Sequence, residues 1–282
     1  MMKCSEINIR DPFVLFENGT YYMYGTRAAN FGQLTGGFDV YTSTDLVTWS
    51  PPVPCFDSEA FGMNRQVNWA PEVHVYQGKY YMLATFTREC GLRGTFALCA
   101  DSPMGPFLPH SEGQLTPEEW ECLDGTLYVN PEGRPYLVFC HEHTQIIDGT
   151  ICFVELSRDL RRAVGQPVTL FKASESGWAE GLGDHFVTDG PFMYRTETGE
   201  LLMIWSSFIG GRYVVLSVKF MDGALGLDLA HQPPIITDDG GHGMIFRGHD
   251  GLYLTFHTPN ASGAEHPCFV KIVDRGDHIT CK

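Results

Sequence analysis

The stretch NIRDPFVLFENGTYYMYGT, residues 8–26, holds a charged pair, a proline, an apolar run, an Asn-Gly step and a row of tyrosines. The apolar runs flanking Asn18-Gly19 predict a β-hairpin, because Asn-Gly supplies the positive φ angles that a two-residue turn needs. Arg10 and Asp11 stand at the mouth of that hairpin. Taken alone, Asp11 reads as a turn residue before Pro12 with Arg10 as its partner. Four later stretches repeat the same grammar: APEVHVYQGKYYMLATF from Ala70, DGTLYVNPEGRPYLVFCHE from Asp124, DGPFMYRTETGELLMIWSSF from Asp189 and HGMIFRGHDGLYLTFHTPN from His242. Each has a small or charged opening, a short apolar strand, a turn with glycine and a second aromatic or aliphatic strand. The openings fall 53 to 65 residues apart.

A second pair of strand-like segments follows every hairpin, as in FDVYTSTDLVTWS after the first and YVVLSVKFMDGAL after the fourth. Four strands per repeat is the content of a propeller blade. The fixed period favours this over a β-sandwich, where hairpins recur without equivalent openings. The prediction is an all-β, five-bladed β-propeller, with residues 1–282 as one domain. In such a ring the innermost strands all begin at one end of a central channel, so Asp11, Asp124 and Asp189 should converge there.

Composition narrows the function. The 282 residues include 34 acidic and 19 basic side chains, a formal charge of −15. That balance argues against nucleic acid, whose affinity depends on lysine and arginine displacing counterions, and against an anionic membrane surface. The expected partner is small or neutral. The nine cysteines are scattered without a CxxC pair, which argues against a zinc site. The first residues lack an apolar signal core, and no segment reaches the ~20 apolar residues of a membrane span. A soluble, cytoplasmic protein is expected, and the sequence is silent on its oligomeric state.

The segments IRDPFVLFENGTYYMYGT, NWAPEVHVYQGKYYMLAT, LDGTLYVNPEGRPYLVF, TDGPFMY and GGHGMIF resemble glycoside hydrolase family 43, and the resemblance runs over essentially the whole chain. It implies a five-bladed propeller enzyme acting by inversion on arabinose- or xylose-containing glycans, and the expected cytoplasmic location suits a short oligosaccharide as substrate better than a polymer. It implies Asp11 as the general base, Asp124 as the residue that tunes the acid's pKa, and a fourth-blade glutamate in a Glu-Gly-Pro context as the general acid. Here that context reads Asp189-Gly190-Pro191. Aspartate is one methylene shorter, so the acid stands open among Asp189, Glu180 in the glycine-rich loop GWAEGLGDHF, and Glu72 beside the second opening.

Other residues carry weaker signals. The resemblance implies no required cofactor; it puts a histidine of the fifth blade, His242, beneath the channel, near which a calcium ion would be held mostly through water. Strand alternation predicts His141 and His143 on one face, in a rim or substrate-contacting role. Trp69 and Phe31 are candidates for stacking on a sugar face, and Arg212 for bonding sugar hydroxyls, although core packing and a solvated loop are their default readings. Two other activities remain open: a sugar-binding propeller with weakened catalysis, and a glycoside phosphorylase, which would need clustered cations to hold phosphate.

Overall fold

A computed structural model of the chain describes residues 1–30, 35–63 and 66–282. Each sequence repeat forms one four-stranded antiparallel sheet, with its strands side by side in chain order. The first sheet comprises β1 (Ile9–Glu17), β2 (Thr20–Arg27), β3 (Gly37–Ser43) and β4 (Val53–Asp57). The second comprises β5 (Asn68–Tyr76), β6 (Lys79–Thr87), β7 (Arg93–Ala100) and β8 (Leu108–Pro109). The third holds β9 (Cys122–Val129), β10 (Pro135–His141), β11 (Thr150–Leu156) and β12 (Ala163–Lys172). A one-turn helix, α1 (His143–Ile146), follows β10. The fourth holds β13 (Asp189–Arg195), β14 (Leu201–Ile209), β15 (Arg212–Phe220) and β16 (Leu229–Ile236). The fifth holds β17 (Gly241–Gly248), β18 (Gly251–Thr258), β19 (His266–Asp274) and β20 (Ile279–Cys281). The first strands touch in a closed circle: β1 with β5, β5 with β9, β9 with β13, β13 with β17, and β17 with β1. This is the five-bladed propeller that the period predicts.

The core lies between blades, which explains why inner strands are apolar on both faces. In β14, Leu201 to Trp205 are all buried. Leu201, Met203 and Trp205 pack toward the third blade, while Leu202 and Ile204 pack toward the fifth. Side chains on a strand alternate in direction, so a blade sandwiched between two others must be apolar at every position. The ring closes where the fifth blade meets the first. Trp49 stacks on Phe269 with centroids 5.7 Å apart, Asn8 Nδ2 donates to the Glu265 carbonyl at 2.8 Å, and Arg10 Nη1 pairs with Glu265 Oε1 at 2.7 Å. Among the described residues no helix is long and apolar enough to cross a membrane.

Every inner strand carries a β-bulge near its start, and the bulges place the site. Just before each bulge, Arg10, Trp69, Leu123, Asp189 and Gly241 pair with Thr26, Thr85, Cys140, Ser206 and His257 of the second strands. The next residue has positive φ in each blade: Asp11 (52°), Ala70 (46°), Asp124 (56°), Gly190 (48°) and His242 (51°). Aspartate and histidine tolerate this region better than most side chains. A bulge turns two successive side chains toward the axis where a regular strand would turn one.

Candidate active site

Register settles which residues are equivalent. Asp11, Asp124 and His242 occupy the same place in their blades, and Gly190 holds that place in the fourth. Asp189 is one residue earlier, in the row of Arg10, Trp69 and Leu123. The sequence reading treated Asp189 as a repeat equivalent of Asp11; it belongs instead to the neighbouring row. Both rows nevertheless face one cavity of about 400 Å³, lined by Asp11, Asp124, Asp189, His242, Arg10 and Trp69. A larger groove of about 530 Å³ runs along β16 and β20, but no carboxylate lines it.

A relay of hydrogen bonds between blades holds the positive-φ row. Thr26 accepts from Ala70 N at 2.8 Å, Thr85 from Asp124 N at 3.0 Å, and Ser206 from His242 N at 2.8 Å. His257 Nδ1 accepts from Asp11 N at 3.1 Å. In the third blade the corresponding residue is Cys140, and Asp124 Oδ2 itself accepts from Gly190 N at 3.0 Å. Glycine is required at 190 because a Cβ there would lie 2.7 Å from the His242 ring.

The carboxyls are driven apart in acidity. Burial pushes Asp11 up, but His242, Arg10 and His257, with the Thr26 hydroxyl donating to Oδ2 at 2.6 Å, outweigh it and hold its pKa below the usual value. Asp124 is pushed up to about 8, mainly by burial and then by the charges of Asp189 and Asp11 against the pull of His242. Asp189 is raised to about 6 by burial and by Glu142, although Tyr213 donates to its Oδ2 at 3.0 Å. Asp124 and Asp189 titrate together, so the pair keeps a proton near neutral pH while Asp11 is ionised. His242 Nδ1 lies 3.2 Å from Asp11 Oδ1 and 3.6 Å from Asp124 Oδ2. Burial opposes its charge, but Asp11, Asp124, Asp189 and Glu72 raise its pKa overall. His257, by contrast, is pushed down to about 3 by burial. It is neutral, with Nδ1 free to accept from Asp11 N.

The remaining candidates divide. Trp69 lines the cavity, with the Arg93 guanidinium 5.1 Å from its ring centre. Glu180 does not line it: its exposed carboxylate accepts from Gly210 N at 2.7 Å, while Leu182 of the same loop does reach the cavity. Glu72 is buried outside the lining, 2.9 Å from His74 Nε2. The expected alternation of His141 and His143 fails because β10 ends at His141 and the chain turns into α1. His141 stacks on Trp120 and contacts Gln145, whereas Glu142 and His143 line the cavity. Arg212 is exposed near Asp238, and Phe31 lies outside the described residues. Calcium takes six to eight oxygens. Near His242 the carboxylates are its own ion-pair partners, and among the described residues no group of three or more His, Cys, Asp or Glu could hold a metal. This donor set does not fit a directly coordinated calcium ion.

Sequence reasoning missed Arg93, Glu142, Tyr213 and His257; it named His143 as a rim or substrate contact, but on an alternation the structure does not have. Arg93 binds Glu121 and, at 3.0 Å, Glu142 Oε2. Only His257 belongs to a repeated signal: Thr26, Thr85, Cys140, Ser206 and His257 recur at one place in each second strand.

Comparison with known proteins agrees with this fold. The family model for Glycosyl hydrolases family 43 matches residues 5–271. An endo-arabinase from Bacteroides thetaiotaomicron VPI-5482 is 36% identical and superposes with a TM-score of 0.90, over 99% of each chain. A thermostable family-43 glycoside hydrolase is 25% identical with a TM-score of 0.85, over 98% of this chain and 93% of that one. An α-L-arabinofuranosidase from Lactobacillus brevis shares the fold at 18% identity and a TM-score of 0.76, over 97% and 93%. A search of curated protein sequences finds no match.

Proposed function

The chain belongs to glycoside hydrolase family 43, and within that family we propose that it is an inverting glycosidase of short oligosaccharides, releasing arabinofuranosyl, xylosyl or related terminal sugars. Asp11 serves as general base toward water, Asp189 as general acid toward the leaving oxygen, and Asp124 as the residue that tunes the acid's pKa. The observation that carries this reading is the opposed acidity of Asp11 and the Asp124–Asp189 pair on one cavity. Pushing two titratable groups apart in this way assigns base and acid. The volume of the cavity suits a small ligand, and the similarity to an endo-arabinase supports arabinan fragments as first substrates.

The charge balance argues against phosphate as the attacking group. Arg10 is paired with Glu265, Arg93 with Glu121 and Glu142, and His242 with Asp11 and Asp124. Burial lowers the pKa of His143, so it adds no charge near neutrality. One observation does favour a sugar-binding propeller with weakened catalysis: the shorter aspartate at 189. A panel of 4-nitrophenyl α-L-arabinofuranoside, β-D-xylopyranoside and β-D-galactofuranoside separates the readings. Phosphate-independent release of 4-nitrophenol is expected from at least one. Sugar binding without turnover of any would leave a binding protein, and a strict need for phosphate would make it a phosphorylase.

A further inference from the structure

The short side chain of Asp189 poses a problem of reach, since a ~1 Å misplacement of a reacting group can cost about a hundredfold in rate. The solution lies across the sheet. Tyr213 is fully buried at the start of β15 and lines the cavity, and its hydroxyl donates to Asp189 Oδ2 at 3.0 Å. We propose that Tyr213 is a positioning residue that makes Asp189 a competent proton donor, by fixing Oδ2 so that the proton on Oδ1 faces the glycosidic oxygen. This rests on Asp189 being the acid.

Three features show that the placement of this tyrosine is specified. Its ring occupies space that only a glycine opposite allows, because a Cβ on Gly241 would lie 2.3 Å from ring carbons of Tyr213. Gly241 sits in the same pre-bulge row as Asp189, so the fifth blade gives up its side chain there to seat the acid's partner. The other face of the ring region meets His257, 5.5 Å away and nearly parallel, and His257 accepts from Asp11 N. Tyr213 thus touches the acid directly and the base through one intermediate. Its own pKa is driven far up, first by burial and then by Asp189 and Asp11, so the phenol remains a donor throughout the working range.

A hydrogen bond donated to a carboxyl oxygen favours the ionised form. Removing it therefore raises the pKa of Asp189 further, and activity that needs the protonated acid persists to higher pH. The other groups acting on Asp189 are Glu142, His242, Arg10, Asp124 and His143; Tyr213→Phe leaves all of them in place and keeps the ring against Gly241 and His257.

The test compares Tyr213→Phe, Asp189→Asn and the double variant on a poor and an activated leaving group, for example an alkyl and a 2,4-dinitrophenyl glycoside of whichever sugar is turned over. For Tyr213→Phe the expected result is a kcat/KM about 10- to 100-fold lower on the alkyl glycoside, with the loss in kcat. The activated substrate should change less than about threefold, because it needs little proton donation. The alkaline limb of the pH profile should move upward, and the phenylalanine should add nothing to Asp189→Asn. Equal losses on both substrates with an unmoved alkaline limb would overturn the inference and leave Tyr213 a packing residue. If Asp189→Asn itself shows no dependence on leaving group, the acid assignment fails instead. Calorimetric sugar titrations of the same variants check that binding survives.

Discussion

Asp11→Asn is expected to lower kcat/KM by about 10²- to 10⁴-fold on every substrate, the usual contribution of a general base. The loss should not depend on the leaving group, because the base acts on water at the opposite face of the sugar. Asparagine keeps the shape and still accepts from Thr26, whose hydroxyl lies 2.6 Å from Oδ2. What it removes is the negative charge facing His242 Nδ1 at 3.2 Å. In the wild type His242, Arg10 and the Thr26 hydroxyl hold the pKa of Asp11 below the ordinary carboxylate value. Activity that needs the ionised base should therefore be lost only as pH falls below the ordinary carboxylate range. An Asp11→Asn enzyme within tenfold of wild type would remove Asp11 from the chemistry.

Asp189→Asn should behave differently. A loss of about 10²- to 10⁴-fold is expected on alkyl glycosides, shrinking to roughly tenfold or less on activated aryl glycosides, whose oxygens leave without a proton. The wild-type alkaline limb belongs to the Asp124–Asp189 pair, raised to about 8 and about 6. A donor must be protonated, so rate falls as pH rises through that range, and the variant should lose this limb. Glu180→Gln, at a carboxylate that binds Gly210 N on the exposed loop, should leave the leaving-group dependence unchanged. Transfer of that dependence to Glu180 would overturn the assignment.

Much of this site was legible from the period. Once five openings align, Asp11, Asp124 and His242 must face one axis, and the structure places them in one row of positive-φ residues. The offset of Asp189 was not legible, because Asp-Gly reads alike whether the aspartate or the glycine takes the positive φ. Glu142 was hidden, and His143 wrongly paired with His141, by the strand rule itself: alternation stops where β10 gives way to α1, and the side chains that follow turn into the cavity. Arg93 opens the third strand β7 and Tyr213 is the second residue of the third strand β15, and nothing in their local sequence shows that they reach inward. Their roles depend on partners far along the chain, Glu121 and Glu142 for Arg93 and Asp189 for Tyr213. Pattern finds residues that repeat; it does not find those that serve a single blade.

The stereochemistry of the product tests the central claim most directly. Proton NMR of the first minutes of hydrolysis, before mutarotation, identifies the anomer released. Inversion is expected, with water activated by Asp11 attacking opposite the oxygen protonated by Asp189. Release of the retained anomer would require a carboxylate nucleophile at the sugar and would contradict the assignment of base and acid.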